Sequence, residues 1–199
     1  MSEGKTGLTY DALMEQAEQS ENCDDFTKAI EWATQAIEME SARPEADRDK
    51  GKLAQAYLKR GQMYKIEGDY YAAILDYGKA IELEPENAGC YSARGEAYLS
   101  KRDYDATFRD FGRAIKLEPE NANFYHQRGW AYAENGDYHA AIWDYGKAIE
   151  LDPENAGLYR LRGQAYLYKD DYNAAIRDYD KAIELDPENA DRYRERGRT

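Results

Sequence analysis

Apolar positions recur along most of this chain at helical spacing. Tyr57, Gly61 and Tyr64 fall one turn apart, and Ala73, Tyr77 and Ala80 do so again after a polar break at Glu67-Gly68-Asp69-Tyr70. Residues three and four apart share one face of a helix, so each run predicts an amphipathic helix with a stripe to bury. After the second run comes Glu84-Pro85-Glu86-Asn87, in which the proline stops one helix and the asparagine offers a start for the next. The unit is a helical hairpin. Gly61, Ala73 and Ala80 lack bulk where two backbones must approach, and Tyr57, Tyr64 and Tyr77 fill the space beside them.

The hairpin is repeated. At a shift of 34 residues Pro85, Pro119, Pro153 and Pro187 align, as do Gly61, Gly95, Gly129, Gly163 and Gly197, and Asn121, Asn155 and Asn189 stand where Asn87 does. Fixed-period self-similarity means stacked units, none of which buries its own stripe alone. Full units are drawn at 54–87, 88–121, 122–155 and 156–189, and residues 190–199 open a partial fifth copy or capping helix. Residues 10–43 read as a divergent first unit, with Ala29, Ala33 and Ala36-Ile37-Glu38 matching the second helix but Ala17 in place of the glycine and Ser41 in place of the proline. Residues 1–9 are expected to be a flexible N-terminus. Between the first two units lies a charged insertion, 44–53, in which Pro44 suits a first helical turn. It predicts a following helix longer by about 15 Å, at 1.5 Å per residue, with a solvated loop around Gly51 as the alternative.

This order of aromatic, glycine, tyrosine, then alanine, aromatic, alanine and proline, with phrases such as Asp76-Tyr77-Gly78-Lys79-Ala80-Ile81-Glu82-Leu83 returning nearly unchanged, resembles the tetratricopeptide repeat (TPR) family. The resemblance runs over 54–189. It implies an all-α fold, a right-handed superhelical solenoid of antiparallel helical hairpins, and a role as a protein-binding adaptor or scaffold.

Composition changes the picture in two ways. With 27 Lys and Arg against 40 Asp and Glu the net charge is −13, which argues against a phosphate-binding surface and favours a partner of neutral or basic character. No apolar run approaches the roughly 20 residues that span a bilayer, and nothing after Met1 resembles a secretion signal, so membrane insertion is not expected. Cys23 and Cys90 stand in regions of different character, which fits two free thiols in a reducing compartment, the cytoplasm.

Candidate chemistry is thin. Most of the 19 tyrosines fall into the repeat columns headed by Tyr57, Tyr64, Tyr70 and Tyr77, leaving Tyr10, Tyr71 and Tyr168 outside them. Gly4-Lys5-Thr6 has neither the earlier glycine nor the strand of a phosphate-binding loop. His126 and His139 lie in different helices with no ligand cluster, and no nucleophile elbow occurs, so no metal, cofactor or enzyme activity is expected. Asp76, Asp110, Asp144 and Asp178 form one column and Arg60, Arg94, Arg128, Arg162 and Arg196 another, which predicts a ladder of ion pairs between stacked hairpins.

The family resemblance places a ligand in a concave groove lined by the first helices. The residues facing it are expected to be Leu58, Gln62 and Lys65, then Ser92, Glu96 and Leu99, then His126, Trp130 and Ala133, then Arg160, Gln164 and Leu167, with Glu134 and Tyr168 at two helix ends. Trp130 is the most informative, since its column otherwise holds Gln62, Glu96 and Gln164. An aromatic that the fold does not require is a typical binding anchor. The expected guest is an extended or helical peptide with apolar side chains. Members of the family that clamp a terminal carboxylate use Lys and Asn one turn apart, and the pairs here, Leu58/Gln62, Ser92/Glu96, His126/Trp130 and Arg160/Gln164, do not supply that set. On the outer face Tyr71, Leu75, His139 and Trp143 suggest a second contact, and with it the alternative of a self-assembling homo-oligomeric scaffold using the convex face or the solenoid ends.

Overall fold

A computed structural model describes residues 8–187. The partial repeat or capping helix expected at 190–199, and with it Asn189, Arg196 and Gly197, lies outside the described residues, as does most of the segment 1–9. Within them the chain is an all-α solenoid of ten α-helices. In order these are α1 (Tyr10–Asn22), α2 (Phe26–Ser41), α3 (Lys50–Glu67), α4 (Tyr70–Leu83), α5 (Ala88–Ser100), α6 (Tyr104–Leu117), α7 (Ala122–Glu134), α8 (Tyr138–Leu151), α9 (Ala156–Leu167) and α10 (Tyr172–Leu185). They fall into two compact units, one ending at Asp103 and the other beginning at Tyr104.

Each helix starts for a chemical reason. The side chains of Asp25, Asp49, Asp69, Asp137 and Asp171 each accept a backbone N–H three residues on, satisfying a donor that the first helical turn leaves orphaned. Asn121 and Asn155 accept the N–H two residues on. Asn87 makes no such cap bond, although its side-chain amide donates to Glu84 as those of Asn121 and Asn155 donate to Glu118 and Asp152. The tight turn after α3 ends on Gly68 at φ 85° and that after α7 reaches Gly136 at φ 81°, a left-handed backbone that a side chain would strain.

The insertion does less than its length suggests. The helix takes up only Lys50–Leu53 of it, an extension of about 6 Å at 1.5 Å per residue. The remainder forms an extended Pro44 and a 3-10 turn over Glu45–Asp47. The cause is Glu40, 2% exposed, whose carboxylate accepts the Asp49 N–H at 2.5 Å and fixes Asp49 as the cap.

In the first unit Tyr10, Leu13, Met14, Ala36, Ile37, Leu53 and Ala56 form one apolar cluster, and Ala73, Tyr77 and Ala97 another. Gly61 lets α3 and α4 meet: a Cβ there would lie 2.8 Å from Cε1 of Tyr77. In the second unit Ala141, Tyr145, Leu161 and Ala165 form the matching core, and Gly129 stands against Tyr145 as Gly61 stands against Tyr77.

The Arg–Asp columns pair inside hairpins rather than between them. Arg60 grips Asp76 at 2.7 and 2.8 Å, Arg128 grips Asp144 at 2.8 Å, and Arg162 grips Asp178 at 2.8 Å, each joining a first helix to the second helix of its own hairpin. Both partners face the same interhelical seam, which the linear register could not distinguish from the seam to the next hairpin. Burial pushes the Asp144 carboxyl above the ordinary carboxylate range, and the Arg128 hydrogen bonds and charge offset only part of that rise. A pair so placed fixes register more than it adds stability.

Candidate functional site: an aromatic cleft on α7 and α9

Trp130 owes its position to the glycine before it. Gly129 must face Tyr145 in the seam with α8, which turns the next side chain out, and Trp130 remains 44% exposed. One turn to either side on α7 stand His126 and Glu134, and on α9 the row Arg160, Gln164 and Tyr168 follows the same four-residue step.

Between these rows lies a cleft of about 270 Å³ walled by Trp130, Ala133, Glu134, Tyr138, Tyr145, Leu161, Gln164, Ala165 and Tyr168. Its aromatic side is rigid: the Tyr138 and Tyr168 rings stack with centroids 4.6 Å apart and planes within 9°. Ala133 and Ala165 leave the space that larger residues would fill. Tyr145 forms the floor, 1% exposed, and burial holds its phenol protonated well above the ordinary range. A larger hollow of about 600 Å³ at Glu118–Ala122 is lined by a single turn and offers no opposing wall.

The cleft is apolar in its walls and charged at its edges. Glu134 is exposed at one end. At the other, His126 is half-buried with its ring centroid 6.4 Å from that of Tyr145. Burial, and then the nearby Arg160 charge, lower the His126 pKa from the ordinary 6.5, so the imidazole is neutral at pH 7. Arg160 itself is half-buried. Leu167 lies beside the cleft on α9, 40% exposed.

The first unit places its expected groove residues differently. Leu58 packs against Ala54, Ala80 and Cys90 on one side and Ala73, Tyr77 and Ala97 on the other. Ser92 is 6% exposed. Ser92 is therefore a packing residue, and Leu58 is partly buried against both clusters. Lys65 and Glu96 form an ion pair with each other from α3 to α5, beside a half-exposed Gln62, and Leu99 is half-buried. Beneath them the Tyr77 hydroxyl, fully buried, has no hydrogen-bond partner among the described residues.

On the outer faces Tyr71 is 73% and Leu75 72% exposed on α4, with the Lys101 ammonium over the Tyr71 ring. On α8 Trp143 is 56% exposed, with Tyr125 at 6.5 Å between centroids and Lys147 at 5.9 Å from its ring centroid, and His139 meets the Lys169 ammonium. Cys23 is exposed and Cys90 buried, both as thiols, and burial pushes the Cys90 thiol up to about 11. Among the described residues no cluster of metal ligands occurs, and no helix is long and apolar enough to cross a membrane.

Sequence reasoning left Tyr138 and Tyr145 in the repeat columns of Tyr70 and Tyr77 and did not single out Leu161 or Ala165, so all four were missed as walls. The signal was in the columns: Tyr168 stands where Ile66, Ser100 and Glu134 do, so one tyrosine outside the repeat was free to stack on one inside it.

Comparison with known proteins gives one consistent result. A family model described as TPR repeat matches residues 61–101 and 129–170, and models described as tetratricopeptide repeat match 111–142 and 156–189. No curated protein matches the sequence. Among solved structures, a MamA protein is 24% identical with a TM-score of 0.75, covering 92% of this chain and 94% of that one. MamA 41-end from Desulfovibrio magneticus RS-1 is 19% identical with a TM-score of 0.76, covering 92% and 98%. YrrB, described as a TPR protein with an unusual peptide-binding site, is 22% identical with a TM-score of 0.67, covering 90% and 87%. At these identities the likeness is one of fold.

Proposed function

This chain belongs to the tetratricopeptide repeat family, and from that premise we propose that it is an interaction scaffold holding a peptide or helical segment of a partner protein in the groove of its first helices. The observation that carries the reading is Trp130, a large aromatic that the repeat does not require, 44% exposed on the wall of a cleft whose other wall is a stacked tyrosine pair. Rigid aromatic walls around a small apolar hollow suit one large side chain of a guest, the arrangement that concentrates binding energy in a few residues. His126, Arg160, Gln164, Leu167 and Tyr168 flank it, and Gln62, Lys65, Glu96 and Leu99 hold first-helix positions proposed to meet a partner in the first unit. The description of YrrB as a peptide binder on this fold agrees with that use. The net charge of −13 favours approach by a neutral or basic partner and disfavours nucleic acid. The role needs no cofactor and no catalytic step. Two thiols support a reducing, cytoplasmic setting.

The test is capture of a partner from a lysate by the wild-type chain and by Trp130→Ala, with folding checked by circular dichroism. Loss of the captured protein with an unchanged spectrum supports the reading, and capture unaffected by the substitution refutes it.

A second reading is self-assembly through the convex face, favoured by Leu75 at 72% and Trp143 at 56% exposed. Analytical ultracentrifugation decides it: a monomer at high concentration, unchanged by Trp143→Ala, removes this reading.

A further inference from the structure

Three consecutive side chains of α9 have three fates. Leu161 is buried in the core of the second unit, and Arg162 is held by both oxygens of Asp178 at 2.8 Å. Arg160 makes no ion pair or hydrogen bond with any described residue. The fold does not ask for a cation there, since the same column holds Leu58, Ser92 and His126. Arg160 is nonetheless half-buried, and its charge adds to the burial that lowers the His126 pKa and partly opposes the burial that raises those of Tyr145 and Tyr179. A guanidinium partly withdrawn from water beside aromatic rings, with no anion to meet it, is a planar fork of donors lacking its acceptor. One turn along the same face Gln164 lines the Trp130 cleft, and the backbone positions of Arg160 and Gln164 are about 6 Å apart along α9, four residues at 1.5 Å.

We propose that the segment bound in the Trp130 cleft carries an aspartate or glutamate that docks on Arg160, so that the site reads a large apolar side chain and a carboxylate close to it. The inference rests on the groove reading above and gives it a chemical specificity. It does not conflict with a neutral or basic partner overall. The net charge acts on approach, whereas beyond about 8–10 Å exposed charges are largely screened, so the group landing on Arg160 is chosen by Arg160. A carboxylate fits this fork better than a neutral group of a peptide because its two oxygens accept parallel N–H bonds. Glu134 at the far end of the cleft repels a second acid and so orients the segment, carboxylate toward Arg160.

The experiment is selection from a displayed library of random dodecapeptides on the full chain and on its Arg160→Gln, Arg160→Glu and Trp130→Ala variants. The wild type is expected to enrich peptides with a large apolar residue two to four positions from Asp or Glu. With Arg160→Gln the acid preference disappears while the apolar one stays, and with Arg160→Glu it turns to Lys or Arg. A synthetic peptide from the wild-type selection should bind Arg160→Gln roughly tenfold to a hundredfold more weakly by fluorescence anisotropy, with Arg160→Lys intermediate. Apolar enrichment without acid, or acid enrichment that survives Arg160→Gln, overturns this proposal and leaves the groove reading standing. Selected peptides indifferent to Trp130→Ala overturn the groove reading, and this proposal with it.

Discussion

Two repeats before the Trp130 cleft, the same positions in the first unit hold a different surface. Gln62 stands for Trp130, Lys65 for Ala133, Glu96 for Gln164 and Ser100 for Tyr168, while Tyr77 forms the floor as Tyr145 does. The frame under both is shared: a glycine against the floor tyrosine, and an Arg–Asp grip between the helices. Where the second unit has two small or neutral side chains across the groove, the first has the Lys65–Glu96 ion pair. One frame thus gives an open aromatic hollow in one place and a closed polar surface in another. The difference lies wholly in outward positions that the frame leaves free.

The largest expected effect falls on the shared frame. Arg128→Ala strands the Asp144 carboxylate, 0% exposed, and should cost about 3–5 kcal/mol in urea denaturation. Replacing the pair together, with Arg128→Met and Asp144→Leu, should recover most of that loss. If the single substitution costs under about 1 kcal/mol, the pair is not the buried grip described.

Next is transplantation. Ala133→Lys with Gln164→Glu should install the polar surface in the second unit and weaken a cleft-binding peptide at least about tenfold, as a displaced anchor would. In the reverse direction, Gln62→Trp, Lys65→Ala and Glu96→Gln should give the first unit a tryptophan whose fluorescence responds to such a peptide. The lost ion pair, with side chains 29% and 36% exposed, should cost no more than about 1 kcal/mol. A new tryptophan that stays silent would show that Tyr168 is indispensable to the hollow.

A smaller effect separates the two floors. Tyr77→Phe removes a buried hydroxyl with no partner and should stabilise the chain by about 1 kcal/mol, the lower end of the cost of an unsatisfied polar group. Phe111 already occupies this column, 0% exposed. A loss of stability in Tyr77→Phe would mean that the hydroxyl has an acceptor after all.

The smallest concerns pH. His126 is held neutral, with its pKa below the ordinary 6.5, so below that value the unfolded chain takes up the proton more readily than the folded one. Stability from this group should therefore fall as pH drops through 6.5, and His126→Gln should flatten the slope. The first unit has Leu58 in this column and should contribute no such term. A slope unchanged by the substitution would assign the acid sensitivity to other groups.

Much of the fold was legible because its causes are local and repeated. The helix stripes, the aspartate and asparagine caps and the glycine opposite tyrosine each need only a few residues at fixed spacing, and repetition raised each signal above chance. The site was legible in part. Trp130 and Tyr168 stood out as departures from their columns. Lys65 and Glu96 did not announce that they meet, and Leu58 and Ser92 shared a helix face with groove residues while being absorbed into packing.

By itself the sequence determined that this protein is a run of helical hairpins and which positions interrupt the run, since periodicity alone states both. The tertiary structure decided which interruptions become a surface. Burial, ion pairing and ring stacking depend on distances between residues of different helices, and those distances exist only once the hairpins have packed. That is why the Arg–Asp grips close within hairpins, why the helix keeps only four residues of the insertion, and why Arg160 is left half-buried with no ion-pair partner among the described residues.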